Sequence, residues 1–342
     1  MHALPGSRRA QVASASLLSF ALCLSVASTQ ARAASLTLMS WNLNWLITPE
    51  TDRELRPVCK GQQPGSDTRA LPCTPGRTPP PQRTTADFEA LARVAQALRT
   101  NHHADVVALQ EVDGPSAARM AFKEGWVADC FIQRAHPQKV GFAIRQGVPY
   151  RCNGDYTALD HDGHSRAGAD ITLWPDSPKA VRLLAVHLKS GCFDGKLDRS
   201  FSPCAGLRQQ VPIVERWIDA RVREGMPFAV LGDFNRHLDK DSRYSAGPDD
   251  NAPLNVLPAW SDDNPPGALL TRATDGERYV ACTADDTHSR YIDDVLLSQS
   301  LMRRTTSSRF VRPSFDAILG PDVARTRQVS DHCPVGITLE MP

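Results

Sequence analysis

No Cys-x-x-Cys pair occurs in this 342-residue chain, although it holds nine cysteines. A zinc ribbon built on closely spaced thiolates is thereby excluded. Lysine and arginine form no run interleaved with aromatic side chains, so there is no basic stripe to coat nucleic acid by bulk attraction. Past residue 33 no segment is long and apolar enough to span a bilayer, for which about twenty apolar residues are needed. No apolar hairpin of the kind a lipid-active enzyme pushes into a membrane stands out. Neither an internal repeat nor a clean linker divides the chain, and one large domain is the expectation.

What is there begins with a leader. Arg8 and Arg9 precede an apolar run from Ala13 to Ala27, and Ala31-Arg32-Ala33 sets small residues where a signal peptidase reads. This pattern predicts a secretory signal peptide over residues 1–33, leaving a catalytic domain over 34–342 in the periplasm or the medium. The run is short and broken by serines, which argues against an anchor, and Cys23 follows Leu22 rather than a small residue. The leader holds three arginines and no acid, so 36 basic residues face 38 acidic ones in the remainder, against 39 and 38 in the full sequence. A weakly acidic protein can still cut nucleic acid, because a hydrolase must grip only a few phosphates.

Eight cysteines lie beyond the leader, and an even number in an exported chain reads as disulfides. Locality pairs Cys59 with Cys73 and Cys192 with Cys204, each around a short loop containing Pro or Gly. Cys130 with Cys152 would close a hairpin. Cys282 and Cys333 are what remains, with Cys333 free as the alternative.

Four short, apolar, β-branched runs end in a residue capable of chemistry. Leu36–Trp41 leads into Asn42, Asp105–Gln110 into Glu111, Val181–Val186 into His187, and Phe228–Gly232 into Asp233 and Asn235. Such runs read as buried strands. Two more runs show the reverse order, with Asp293 ahead of Val295 and Asp331-His332 ahead of Val335. In a sheet with antiparallel neighbours, the end of one strand lies beside the start of the next, so all six polar positions can gather at one edge. Between them, Thr85-Ala86-Asp87 caps a helix with Phe88, Leu91, Val94, Ala95 and Leu98 at helical spacing, and Val211 to Val222 is a second helix. Thr48 to Arg83 is expected as an irregular insertion, and Asp239 to Gly267 as a loop. Alternating strands and helices predict two packed sheets with helices outside.

Read singly, most of these residues have an ordinary explanation, although an acid and a histidine set together beside a strand, as Asp331-His332 are, rarely serve packing. Asn42 suits a turn, Glu111 a solvated strand end, Asp233 an Asx-turn, and His187 a structural position. Asp294 reads as a charged strand start, Trp41 and Trp45 as packing, and His102, His103, His161 and His164 as solvated loop residues. Together they mean more. Carboxylates crowded at one edge repel one another, and a hard divalent ion held by oxygen ligands relieves that cost. Magnesium fits such ligands, as do manganese and calcium. Histidines beside it supply donors for charge developing on a phosphoryl group.

The ordered segments Trp41-Asn42-Leu43-Asn44, Leu109-Gln110-Glu111-Val112, His187-Leu188-Lys189-Ser190, Gly232-Asp233-Phe234-Asn235, Tyr291-Ile292-Asp293 and Ser330-Asp331-His332-Cys333-Pro334 resemble the endonuclease/exonuclease/phosphatase family, which includes deoxyribonuclease I and the apurinic endonucleases. The resemblance runs from residue 36 to about 340. It implies a four-layer α/β sandwich: two packed mixed β-sheets flanked by helices. It also implies that Asn42 and Glu111 bind the metal with Asp331 nearby, and that Asp233 orients or deprotonates the attacking water. Asn235 would contact the phosphate, and Asp293 would hold the catalytic histidine, His332. His187 would stabilise the phosphorane or protonate the leaving oxygen. Ser165-Arg166 resembles a Ser-Arg pair that contacts substrate phosphate, with Ala167 standing where the family has an acid.

The expected function is metal-dependent hydrolysis of DNA or RNA by a monomer without stable membrane association. The alternatives are a sphingomyelinase-like phospholipase, a phosphatase on soluble esters, and an inactive binding module. An inactive module should lack an acid or a histidine among the six motifs, and none is missing.

Overall fold

The apolar runs become strands because their neighbours bury them on both faces. In the computed structural model, residues 1–2, 35–59, 81–197, 202–241 and 255–342 are described. The chain divides into two units, Met1–Arg32 and Ala33–Pro342. The signal peptide and the Cys59–Cys73 pair lie outside the described residues. Both sheets belong to the second unit.

The elements of that unit run in the order β1 (Ser35–Leu46), α1 (Pro49–Cys59), α2 (Thr85–Thr100), β2 (Val106–Val112), α3 (Pro115–Ala121), β3 (Trp126–Asp129), β4 (Lys139–Arg145), β5 (Tyr150–Tyr156), β6 (Gly168–Leu173) and β7 (Val181–His187). There follow α4 (Ser202–Arg223), β8 (Phe228–Asp233), α5 (Leu238–Asp241), α6 (Val256–Trp260), β9 (Leu270–Arg272), β10 (Asp293–Ser298), β11 (Ser307–Val311) and β12 (Val335–Glu340). The strands form two six-stranded sheets, ordered β11-β12-β1-β2-β4-β3 and β5-β6-β7-β8-β10-β9. Each contains parallel and antiparallel pairs.

Three apolar clusters define the layers. Leu38, Val106 and Phe142 of one sheet meet Ile171, Leu183 and Leu231 of the other in the central core. Trp41, Leu109 and Val112 face outward against Phe88, Leu91 and Leu98 of α2. Val186, Val230 and Phe228 face outward against Val214, Trp217 and Ile218 of α4. Helix, sheet, sheet, helix is the four-layer sandwich. Among the described residues no helix is long and apolar enough to cross a membrane.

Several sequence expectations need correction, the first being that the stretch from Asp239 to Gly267, expected as a loop, contains the short helix α6. Pro49 to Cys59 is a helix rather than irregular chain; Pro49 sits at its first position and Glu50 and Asp52 in its first turn, where the helix dipole favours them. The cap of α2 is Thr84, whose hydroxyl accepts from Asp87 N–H while the Asp87 carboxylate accepts from Thr84 N–H. The Cys130–Cys152 bridge forms but closes no hairpin: Cys130 follows β3 at the edge of one sheet, and Cys152 lies in β5 at the edge of the other. Cys192–Cys204 and Cys282–Cys333 also form, so Cys333 is not free.

Candidate active site

The reversed polarity of two motifs is what gathers the site. Strand β10 runs antiparallel to β8 and sets Asp293 opposite Asp233, while parallel β7 sets His187 opposite Asp233 on the other side. One row across three strands thus carries His187, Asp233 and Asp293. In the other sheet, β12 runs antiparallel to β1 and pairs Ser40 with Val335, bringing Asp331 and His332 to the end of β1 where Asn42 sits.

Local irregularity aims the side chains. The β1–β2 register shifts between Asn42 and Leu46, and the β2–β4 register between Leu109 and Val112. Such bulges re-aim side chains at a strand end. Asn44, Trp45, Glu111 and Asn235 all adopt positive φ, at 45°, 55°, 58° and 51°. Non-glycine residues persist there only when their surroundings hold them.

Asn42 links the two sheets. Its Nδ2 donates to Asp233 Oδ2 at 3.0 Å and to Glu111 Oε1 at 3.4 Å, and its Oδ1 accepts from Asn44 N–H. The other Glu111 oxygen accepts from Trp45 N–H at 3.2 Å. Asp233 does make the Asx-turn, accepting Asn235 N–H on Oδ1 at 2.8 Å, but its Oδ2 points at Asn42. Asn235 donates from Nδ2 to Leu188 O. His187 Nε2 lies 3.5 Å from Asp233 Oδ2 and 3.7 Å from Glu111 Oε1. His332 Nδ1 meets Asp293 Oδ2 at 2.7 Å. Asp331, its side chain 61% exposed, stands at the mouth with Oδ1 4.0 Å from His332 Nε2.

Burial sets the electrostatics. It raises the Glu111 carboxyl, with Arg166 opposing, and it raises Asp233, which also feels Asp293. It pulls His187 well below the ordinary imidazole range, and Arg166 adds to that. Burial also pulls His332 down, but the Asp293 carboxylate overrides it and holds this imidazole well above its ordinary value. Two similar rings therefore carry opposite charge preferences.

The donor set suits a hard cation. Glu111 has no lysine or arginine ion-paired to it among the described residues, and Asn42 Oδ1 keeps a second lone pair. His187 Nδ1 and Asp293 Oδ1 are buried without a hydrogen-bond partner. Oxygen ligands of this kind fit magnesium or a similar ion rather than zinc.

Arg166 stands beside the cluster. It donates to Gln138 Oε1 in place of an acid at the next position, where Ala167 is buried in the core. Asp294, expected as a charged strand start, is instead buried and accepts from the Thr274 hydroxyl and N–H; burial pushes its carboxyl up to about 6. Trp41 packs as expected and also donates from Nε1 to His332 O at 2.9 Å. Trp45 packs on His136.

Sequence reasoning missed several supports. Ser330 Oγ donates to Asn42 O and accepts from His332 N–H, tying the first motif to the last. Gln210 accepts from Lys189 N–H on the segment after His187. Arg83 bridges five backbone carbonyls beneath the site. Ser330 was visible inside its motif; Gln210 and Arg83 carried no signal.

No curated protein matches the sequence. Among solved structures, truncated Caenorhabditis elegans TDP2 superposes with TM-score 0.53 at 14% identity, covering 90% of this chain and 99% of that one. An endonuclease/exonuclease/phosphatase family protein from Bacteroides thetaiotaomicron gives TM-score 0.50 at 14% identity, covering 90% and 95%. The AP endonuclease LMAP from Leishmania major gives TM-score 0.50 at 13% identity, covering 90% and 88%. These likenesses show the fold. The sequence profile described as Endonuclease/Exonuclease/phosphatase family matches residues 39–332, a span from the first motif to the last, and the chain belongs to that family.

Proposed function

We propose that this chain is an exported phosphodiesterase that uses a divalent metal to hydrolyse nucleic acid. The observation that carries the reading is the meeting of Asn42, Glu111, His187, Asp233 and the Asp293–His332 pair in one cluster, from segments up to 290 positions apart. Asn42 and Glu111, with Asp331 at the mouth, would hold magnesium, or manganese or calcium in its place. When bound, such an ion neutralises charge on the phosphoryl oxygens.

The protein's own groups divide the remaining work. Asp233, fixed through one oxygen by Asn235 N–H and through the other by Asn42, takes the proton of the attacking water. Asp293 grips His332 at Nδ1, so Nε2 faces the phosphoryl group, where it stabilises the crowded phosphorus or protonates the departing oxygen. His187 lies on the far side of Asp233 and contributes a neutral donor. Arg166 and Asn235 face the phosphate charge.

Duplex DNA, single-stranded DNA, RNA, sphingomyelin and a soluble phosphomonoester, assayed side by side, test the reading. Nucleic acid should be hydrolysed with magnesium or manganese, and chelation should abolish it. Hydrolysis that persists in excess chelator rejects the metal; turnover confined to sphingomyelin or the monoester rejects the nuclease. Asp233→Ala and His332→Ala should each lower kcat by about 10²- to 10⁴-fold with circular dichroism unchanged. Wild-type rates from both would remove these residues from the chemistry.

A further inference from the structure

We infer that the chamber beside the proposed phosphate site receives one unpaired nucleobase, recognised by the aromatic surface of Phe193 and of the Tyr279–Tyr291 pair. The inference rests on the nucleic-acid reading and narrows it to single-stranded substrate.

A cavity of about 480 Å³ opens directly onto Asn235, Asp293, Asp331 and His332, and Phe193, His237, Tyr279, Tyr291, Arg290 and Arg312 also line it. Ligand sites typically span about 300–1,000 Å³, so one nucleotide is a fitting occupant.

Phe193 is 40% exposed, one of few large apolar side chains so placed among the described residues. Exposed aromatics usually move freely; this one is tethered on both sides. Cys192 is bonded to Cys204, and its carbonyl accepts from buried Arg236 at 3.1 Å. Phe193 O accepts from His237 N–H at 3.0 Å, the two rings lie 6.0 Å apart at 34°, and the Asp194 carboxylate holds His237 at 2.9 Å. A rigid apolar ring left in water gains nothing in the free protein. It is preorganised for a ligand, which then binds without an ordering cost at that side chain.

The tyrosines show the same preparation. Their rings lie 5.0 Å apart, and both hydroxyls turn into their own loop, Tyr279 to Asp286 and Tyr291 to Arg278 O. The Arg312 guanidinium sits 5.5 Å from one ring and 5.2 Å from the other, and donates to the carbonyl of Cys333, the neighbour of His332. No carboxylate pairs with Arg312 among the described residues; the guanidinium lines the chamber while also donating to the Val280 carbonyl, and Arg290 is paired with Asp239.

Aromatic faces beside a phosphate-gripping centre match a base joined to its phosphodiester. Stacking tolerates every base, and with the hydroxyls already engaged little remains to read base edges. A choline head would also seek aromatic faces, but the Arg312 cation repels it. The sequence holds no run of lysine and arginine interleaved with aromatics, which favours a substrate gripped through few phosphates over a long duplex that needs many.

The test uses single-stranded hexanucleotides with one phosphodiester, the other linkages being methylphosphonates, and with the base on either side of it present or replaced by an abasic sugar. Wild-type kcat/KM should be about tenfold to a hundredfold higher when the base on one side is present. Phe193→Ala should lose that preference while matching wild type on the abasic substrate, which also shows that it folds; Phe193→Trp should keep it. Wild-type hydrolysis without discrimination between base and abasic sugar would overturn this inference alone. So would Phe193→Ala slowing both substrates equally. Failure to cut any oligonucleotide, with sphingomyelin vesicles hydrolysed in a Phe193-dependent way, would overturn the nuclease reading and the subsite together.

Discussion

Arg83 takes no part in the proposed chemistry, yet it joins the two ends of the site. Its guanidinium donates to Leu43, Asn44 and Trp45 carbonyls on β1 and to Gln328 and Val329 carbonyls just ahead of Asp331, at 2.7–3.0 Å. Burial lowers it to about 10, while Asp87, Asp331 and Glu111 pull the other way. Arg83→Met keeps the apolar stem and strands five carbonyls, which should cost on the order of 3 kcal/mol. It should also lower kcat at temperatures where the variant is fully folded, because Asn42 and His332 lose their common brace. Urea unfolding and steady-state kinetics would decide; an unchanged midpoint and rate would show the clamp to be idle. Nothing in the sequence pointed to Arg83, for a physical reason. Its partners are carbonyls, which every residue possesses, so the interaction leaves no complementary mark. Asp233 and His332 stood out as candidates because few side chains suit the proposed chemistry and each closes or opens an apolar run.

At the level of elements, the strand ends govern what the site can be. Gly232 shows how tightly β8 is drawn against β7: a Cβ there would lie 2.0 Å from Val186 O. Gly232→Ala must push the strands apart at the residue before Asp233. The expected cost is about 3 kcal/mol or more, with kcat falling further than the lost folded fraction accounts for. Thermal unfolding and activity measured together would show it, and a variant with native stability would mean that the strands separate freely. The runs and their reversed polarity revealed the strands and their convergence, since period and end residues are local properties. The bulges at Asn42 and Glu111 were not legible, being set by pairing with strands far along the chain. The α1 helix was missed because proline density outweighed the Pro and acid placement that starts a helix.

For the whole molecule, one of the three disulfides among the described residues ties the edge of one sheet to the edge of the other. Cys130–Cys152 joins one sheet to the other at the rim. Locality on the chain suggested a hairpin, but between the two cysteines the backbone passes from one layer to the next. Replacing both by serine should lower stability by about 2–4 kcal/mol and leave the distant Asn42–Asp233 contact in place. Calorimetry with a parallel activity assay tests this; a Tm equal to wild type would show that the bridge adds nothing to the packed core. Two packed sheets with helices outside were readable from the alternation of runs and helices, and the Cys130–Cys152 pairing from locality, while the crossing of that bridge from layer to layer was not.

The pairing of β12 with β1 carries a further consequence. The first strand completes its sheet only when β12, some 300 positions further on, has been made, and His332 reaches Asn42 only through that late zipping. A chain made only as far as β10 therefore holds Asp293 without its imidazole partner, and the proposed site is complete only when the two ends of the domain have met.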